Sequence, residues 1–416
     1  MYQLNREKVE NKTESRFFSS PLVLAVIVQS GDNMALGRIS VCVRVLLHDI
    51  PSKGLCRGLI QSDCMTCRVG AKRHLLSEDV VKLQEFQQRK LAVAHQVSGS
   101  KSHYFEVFNH KLMKKQLILK DELKLLLHLC QSAEDMVTAR GAIYRYHEEN
   151  SNVAFGEFKF GPLFMRLCYE LGLEEMAAAT LTDKDLRGFF SDSTSFNIAI
   201  DMLFMKGLYE SALDVLRDMK NQGVPFNKDT FTLATGTCYK LNTPESYRIC
   251  TALMEEGQTK GHMIPRHAYC FTVALALRQN DVEKAQSMFG QIMSTDSRIC
   301  QNLKVLILAM AGAVKESLFV LTQALGSSST VFVKKPEFAQ EVVDLVRLRS
   351  EDSPLMAGVE EAVSRLQNTG QVTQRSLDEM LCHTPTGKRR MPIGMMEERL
   401  ISRRTLRPLQ STLLSE

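Results

Sequence analysis

The chain has 416 residues, of which 44% are hydrophobic and 24% are charged, and its formal net charge is +5. This composition is typical of a folded protein that buries a sizeable core. No apolar run reaches the roughly 18 residues that a membrane-spanning helix needs, so the sequence excludes a membrane span.

Eleven cysteines are scattered through segments that have the spacing of amphipathic helices. Cys130, Cys168, Cys238, Cys250 and Cys270 lie among apolar residues, which favours buried, reduced thiols over the disulfide framework of a secreted protein. The sequence therefore predicts a reducing compartment.

The first 73 residues fall into two parts of different charge. Residues 1–33 carry four basic and four acidic residues, and we expect a poorly ordered extension there. Residues 34–73 carry seven basic residues against two acidic ones, which resembles a mitochondrial transit peptide; a basic surface segment is the alternative. Residues 74–416 are then neutral overall, so any affinity for nucleic acid must come from local basic stripes.

The helical part of the chain begins after this basic segment. Ser77, followed by Glu78 and Asp79, predicts a helix start that continues to Ala94. A second helical stretch begins at His103, and residues 74–120 together form an N-terminal helical cap.

Internal repetition dominates residues 121–325. Residues 194–228 contain two apolar stripes separated by Gly207, and Gly223 followed by Pro225 ends the second stripe, which predicts one helix-turn-helix unit of about 35 residues. The opening of this unit returns at Thr230 and again at Ala268. Weaker copies on either side bring the total to about six units and predict an all-α fold, a solenoid of stacked helix pairs.

Residues 326–416 are predicted to form a C-terminal helical segment with a basic tail. The tail between residues 387 and 407 has seven basic and two acidic residues. It is either a phosphate-binding tail or, as the alternatives, a solvated terminus or a segment that docks onto proteins. The residues proposed for RNA contact in this tail are Lys388, Arg389, Arg390, Arg403 and Arg404.

Residues 194–227 resemble a pentatricopeptide repeat. They have an aromatic residue followed by Asn197 in the first helix, then Lys206-Gly207, Ala212 and Gly223. Residues 74–88, 156–171 and 188–197 also resemble a pentatricopeptide repeat family of animal mitochondria.

This resemblance implies a right-handed helical-repeat solenoid of pentatricopeptide-type units in the mitochondrial matrix. It implies single-stranded mitochondrial RNA as the partner, with RNA-processing or ribosomal proteins as further partners and no DNA. The implied role is mitochondrial mRNA processing or maturation, and through it respiratory-chain function. Members of the family read one base per repeat with two or three side chains.

When the base-reading positions of the family are transferred to this sequence by motif position, the base-reading pair is Asn197 with Asn227. The flanking positions, on which bases stack in the family, are Thr194 and Asp229. We expect Asn197 to point along the groove, because it follows the core residue Phe196 in the first turns of its helix. Thr232 occupies the reading position of the next repeat. The corresponding Cys270 and Ser297 are atypical, so we expect loosely selective, shape-based binding.

No catalytic site is expected, because the phosphate-binding GxxxxGK, dinucleotide-binding GxGxxG and zinc-binding HExxH motifs are all missing. Cys56, Cys64 and Cys67 with His74 lack a second spaced pair, and we interpret them as incidental, with no metal and no cofactor. A protein-scaffolding repeat of the tetratricopeptide kind is the alternative function. The opening Ser-Phe-Asn at residues 195–197 and the closing Gly-Val-Pro at residues 223–225 favour the pentatricopeptide pattern.

Overall fold

The computed structural model describes residues 74–96, 101–150, 159–326 and 335–383, and helices make up nearly all of their regular structure. The predicted transit segment and the proposed contacts Lys388, Arg389, Arg390, Arg403 and Arg404 lie outside these ranges. Cys56, Cys64 and Cys67 also lie outside them.

Three helices precede the repeats: α1 (Glu78–Val81), α2 (Leu83–Gln96) and α3 (Lys101–Met113). The predicted continuous helix from Ser77 is interrupted, because Lys82 adopts a left-handed conformation with φ of 54° and separates α1 from α2. Ser77 stands at the N-cap position of α1, but its hydroxyl makes no capping hydrogen bond.

Six helix pairs follow within the described residues, and each consists of a first helix and a second helix. In chain order they are α4 (Lys120–Leu129) with α5 (Ala133–Asn150), α6 (Gly161–Leu171) with α7 (Glu174–Leu181), α8 (Ser193–Lys206) with α9 (Tyr209–Asn221), α10 (Lys228–Leu241) with α11 (Pro244–Thr259), α12 (Arg266–Arg278) with α13 (Val282–Gly290), and α14 (Arg298–Met310) with α15 (Val314–Gly326).

Caps and turn residues set the ends of these helices. The Asp192 carboxylate accepts the Ser195 amide and caps α8, while Thr243 caps α11 just before Pro244, which stands at the first helical position. Gly207 ends α8 with φ of 81°, a conformation that glycine adopts at little cost. The predicted break at Gly207 is therefore confirmed.

The first helices stack side by side, since α6 packs against α8, α8 against α10, α10 against α12, and α12 against α14. Each also packs against its own second helix. The aromatic side chains of Phe164, Phe196, Phe231 and Phe271 are fully buried between them. An all-α helical-repeat solenoid is thus the observed architecture, as the periodicity predicts.

The C-terminal segment adds a seventh helix pair and a small two-stranded sheet. Its elements are β1 (Phe338–Ala339), α16 (Gln340–Ser350), α17 (Met356–Asn368), β2 (Val372–Thr373) and α18 (Leu377–Leu381). β1 pairs in parallel with β2, and Phe338 and Val342 belong to a second apolar core that includes Val305 of α14. The strands are short additions that the helical pattern of the sequence did not predict.

The residues His74–Val81, here called the N-terminal strap, lie against the first helices. The buried Asp201 carboxylate on α8 accepts the amide N–H groups of Leu75 at 2.8 Å and Leu76 at 3.2 Å. The Leu75 side chain also packs onto α10, where a Cβ added to Gly236 would lie 2.7 Å from its Cδ1 atom. Asp201 therefore fixes the strap across two repeats.

The C-terminal end of the described chain returns to the same helices. Lys240 on α10 donates to Asp378 of α18 at 2.7 Å, and the Leu381 carbonyl lies 2.6 Å from the His267 Nε2 atom on α12. The Arg278 guanidinium lies 3.9 Å from the centre of the Tyr239 ring and 3.8 Å from Asp378. Both ends of the described chain thus pack onto the row of first helices.

The cysteines behave as the sequence predicts. Cys130, Cys168, Cys238, Cys250 and Cys270 are buried free thiols. Among the described residues, no helix combines the length and apolar character that crossing a bilayer requires.

Replacing Asp201 with alanine should detach the strap, because two buried N–H groups lose their acceptor. Leaving a buried donor unsatisfied costs about 1–3 kcal/mol, so we expect a loss of unfolding free energy of that order. Chemical denaturation measures this loss, and hydrogen exchange at the amides of Leu75 and Leu76 should accelerate. Asp214→Ala is the matched control, because Asp214 is exposed on α9 and forms a local ion pair with Arg217. Equal losses from both variants would contradict the role of Asp201.

Candidate RNA-binding site

Asn197, the predicted base-reading residue, is the fifth residue of α8 and is fully buried. Its amide nitrogen donates to the Asn227 Oδ1 atom at 3.1 Å, and its Oδ1 atom accepts the Thr230 hydroxyl at 2.8 Å. The prediction that Asn197 points along the groove is wrong, because the start of the next first helix covers its side chain.

Asn227, the predicted partner, is the N-cap residue of α10. Its Oδ1 atom accepts the backbone N–H groups of Asp229 and Thr230, both at 2.9 Å, and its amide nitrogen donates to the Ser193 hydroxyl at 3.0 Å. The two asparagines are in contact, as predicted, but their hydrogen bond links two repeats. Their hydrogen-bonding groups are directed to protein atoms.

The other three residues carried over from the family have different surroundings. Thr194 is half-buried at the second position of α8. Asp229 is half-buried near the start of α10, and burial raises the pKa of its carboxyl while Lys228 opposes that shift. Thr232 is 8% exposed, and its hydroxyl donates to the Lys228 carbonyl at 3.1 Å. Asp229 and Thr232 line one groove, which does not include Thr194.

The fifth position of a first helix joins its repeat to the next in three places. We call each of these links an inter-repeat clamp. In the first clamp, Asn197 accepts the Thr230 hydroxyl at 2.8 Å. In the second, the sulfur atoms of Cys270 and Cys300 lie 3.7 Å apart. In the third, Asn302 binds the Glu337 carbonyl and the Ala339 amide, both at 2.8 Å. In this chain, these positions connect repeats instead of presenting side chains to solvent.

A groove of about 1210 Å³ runs past the starts of α10, α12 and α14. We call it the edge groove. The N-terminal strap lines one part of it, and the segment 375–383 lines another. Three helix N-termini therefore open into a single groove, and each carries the partial positive charge of its helix dipole, although the Asn227 and Ser297 side chains cap the starts of α10 and α14.

The first residue of each of these helices is basic: Lys228 of α10, Arg266 of α12 and Arg298 of α14. We call these three residues the basic row. All three are exposed and line the edge groove, and Arg298 also forms an ion pair with Glu337 at 2.6 Å. Cations at helix N-termini create a site that suits phosphate groups.

Acidic side chains line the edge groove too, but they are less accessible. Asp229, Glu337 and Glu379 are half-buried, whereas Asp79 is exposed. Arg375 adds a fourth exposed basic side chain. The lining thus holds four basic and four acidic side chains, and the basic residues are the more exposed of the two sets.

Reasoning from the sequence missed the basic row. The signal was a basic residue three positions before the aromatic residues Phe231 and Tyr269 that open two successive repeats. Within the part of the chain that the structure describes, no three metal-ligating side chains come together.

Comparison with known proteins agrees with this architecture. The family model described as mitochondrial 28S ribosomal protein S27 matches residues 51–388. The chain is 56% identical to pentatricopeptide repeat-containing protein 2, mitochondrial, of Danio rerio, over 92% of this chain and 100% of that relative. It is 51% identical to the Homo sapiens protein of the same name, over 84% of this chain and 90% of that relative. For the Xenopus laevis protein of that name the identity is 47%, over 90% of this chain and 95% of that relative.

The match of the family model over most of the chain, the high identity to these relatives and the stacked helix pairs lead to one conclusion. The chain belongs to the mitochondrial pentatricopeptide repeat family that includes pentatricopeptide repeat-containing protein 2.

Proposed function

We propose that the protein is a non-catalytic RNA-binding adaptor that acts in RNA maturation in the mitochondrial matrix. The observation that carries the proposal is the basic row, which places three cations and three helix N-termini along one groove. Single-stranded RNA presents a regular series of phosphates that suits such a row. Transcript maturation, and through it respiratory-chain function, is the role that the family resemblance implies.

The edge groove supports binding with little base selection. Phosphate contacts fix the position of a strand but carry no sequence information. The amides of Asn197 and Asn227 are used within the protein and are not available to a base edge. Tyr269 is half-buried in the groove and offers a ring on which any base can stack.

The name of the matching family model supports a second candidate, association with the mitochondrial ribosome as a scaffold. A scaffolding role predicts co-sedimentation of the protein with ribosomal particles that survives ribonuclease treatment. Binding through RNA predicts that ribonuclease releases the protein. Gradient sedimentation of mitochondrial lysate with and without ribonuclease separates the two.

Neutralising the basic row should weaken RNA binding and flatten its salt dependence. We expect the variant Lys228→Gln, Arg266→Gln, Arg298→Gln to lower the slope of log affinity against log salt by about 2, since each phosphate contact on a single strand contributes roughly 0.7. Fluorescence anisotropy with an unstructured RNA oligonucleotide measures the slope, and ultraviolet crosslinking in mitochondria should fall in parallel.

The matched control for this variant removes the same amount of charge elsewhere. Lys114, Lys184 and Lys315 are exposed and lie outside the edge groove. Their replacement by glutamine should leave the slope near the unmodified value. Equal effects from both triple variants would show that RNA affinity comes from overall charge and would overturn the site.

Replacing Asn197 with alanine should lower stability without removing RNA affinity. The change removes the two hydrogen bonds that Asn197 makes with Thr230 and Asn227, at a cost of about 0.5–1.5 kcal/mol each. Thermal and denaturant unfolding measure this cost, with Asn221→Ala at the exposed end of α9 as the control. RNA affinity of the folded fraction should stay within about twofold, and a larger loss would restore Asn197 as a base-reading residue.

Import should remove the N-terminal basic segment. The net charge of +5 in residues 34–73 supports translation from Met34, matrix targeting and cleavage near residues 70–76. Because the Leu75 and Leu76 N–H groups bind Asp201, a cut on the N-terminal side of Leu75 would keep the strap attached. N-terminal sequencing of the protein from protease-treated mitochondria tests this, and a mature chain starting at Met1 or Met34 would rule it out.

A further inference from the structure

One inter-repeat clamp consists of two thiols. Cys270 is the fifth residue of α12 and Cys300 is the third residue of α14, 30 residues later. Their sulfur atoms lie 3.7 Å apart. The clamps at Asn197 and Asn302 use hydrogen bonds between amide, hydroxyl and backbone groups. The thiol clamp therefore differs from these two in being able to become covalent.

The surroundings of Cys300 favour a thiolate. A hydrogen bond from the Cys270 thiol lowers the pKa of Cys300, with smaller contributions from the Ser297 hydroxyl and Arg266, although burial acts in the opposite direction. The same contact raises the pKa of Cys270. Cys300 also lies in the first turn of α14, where the helix dipole stabilises negative charge. The pair thus shares a proton between two neighbouring sulfurs.

The edge groove borders one member of this pair, since Cys270 is 2% exposed whereas Cys300 is fully buried and does not line the groove. Cys270 lines the groove, next to Ser297 and Arg266. Cys238 and Cys250 form a second thiol pair, in which the two side chains are hydrogen-bonded, but neither lines the groove. Access therefore distinguishes two thiol pairs that are otherwise similarly buried.

We propose that Cys270 and Cys300 are a reversible disulfide site, oxidised by a hydroperoxide that enters the edge groove. Transfer of the shared proton to Cys300 leaves Cys270 as the thiolate, whose sulfur attacks a peroxide oxygen. The O–O bond breaks and Cys270 becomes a sulfenic acid, while the hydroxide that leaves takes up from solvent the proton that the pair had released, and departs as water. The Cys300 sulfur then attacks the Cys270 sulfur and displaces a second water. The two thiols lose two protons and two electrons, and one hydrogen peroxide becomes two waters.

The disulfide would join α12 to α14 covalently at the floor of the groove. A disulfide bond is about 2.05 Å long, so the two sulfurs must approach by about 1.6 Å, which would draw the starts of the two helices together. The bond closes a loop of about 30 residues and constrains the unfolded chain. A low-molecular-weight thiol such as glutathione would reverse the reaction by exchange.

The test is a peptide map of the full-length protein treated with increasing hydrogen peroxide. After free thiols are blocked with N-ethylmaleimide, trypsin releases Cys270 in the peptide 267–278 and Cys300 in the peptide 299–304. We expect these peptides to appear linked, to separate on reduction, and to form at least tenfold faster than a link between the peptides 229–240 and 249–260 that carry Cys238 and Cys250. The oxidised protein should also melt at a temperature higher by roughly 5 °C.

Single substitutions provide the controls. Cys300→Ser should abolish the link and the rise in melting temperature, whereas Cys250→Ser should preserve both. The map of the unsubstituted protein needs no variant, so the proposal stays testable if a substituted chain fails to fold. Absence of the linked peptides, or equal oxidation rates for the two thiol pairs, would overturn it. This inference does not depend on RNA binding.

Discussion

The structure depends on a link that each of several first helices makes with the start of the next. Asn197 accepts a hydroxyl from Thr230, and Asn302 holds the backbone around Ala339. A helix pair of about 35 residues cannot bury its apolar face alone, so the array is stable only when neighbours stack. Contacts between apolar side chains allow neighbouring helices to shift relative to each other, whereas a buried amide is stable only where its hydrogen-bond partners lie in position. The clamps therefore set the register between neighbouring repeats.

The two ends of the described chain add a second constraint. The strap bound to Asp201 and the helix α18 bound through Lys240 both rest on the first helices. A carboxylate as buried as Asp201 is costly unless it is hydrogen-bonded, so the strap and α8 stabilise each other. These contacts leave the starts of α10, α12 and α14 open as the edge groove. The strap and α18 cover the neighbouring surface of the first helices, and the groove lies where they do not.

Periodicity was sufficient to predict the helix pairs, the break at Gly207 and the buried thiols, because each depends on residues close in sequence. The surroundings of Asn197 were not predictable in this way, because they depend on Thr230, which belongs to the next repeat. A polar residue after a core phenylalanine suggests exposure unless its partner is known. Asn227 did carry a local signal, since Asn followed by an acidic residue two positions later is a typical helix cap. The strap was missed because its partner, Asp201, is 126 residues away from Leu75.

The positions of residues along the first helices explain both why the Asn197 amide is buried and why the basic row is exposed. In the pairs that begin with α8, α12 and α14, the fifth residue of the first helix faces the neighbouring repeat. The first residue of α10, α12 and α14 lies instead at the positive end of the helix dipole. Lys228 and Arg266 are free of the packing that encloses Asn197. Positive charge is therefore concentrated where the helix dipoles also point, and base-specific groups are withdrawn from the same edge. Under the proposed function, such a groove would hold a phosphate backbone and discriminate weakly among bases, so selection of a transcript would come from the shape of the RNA or from a second protein.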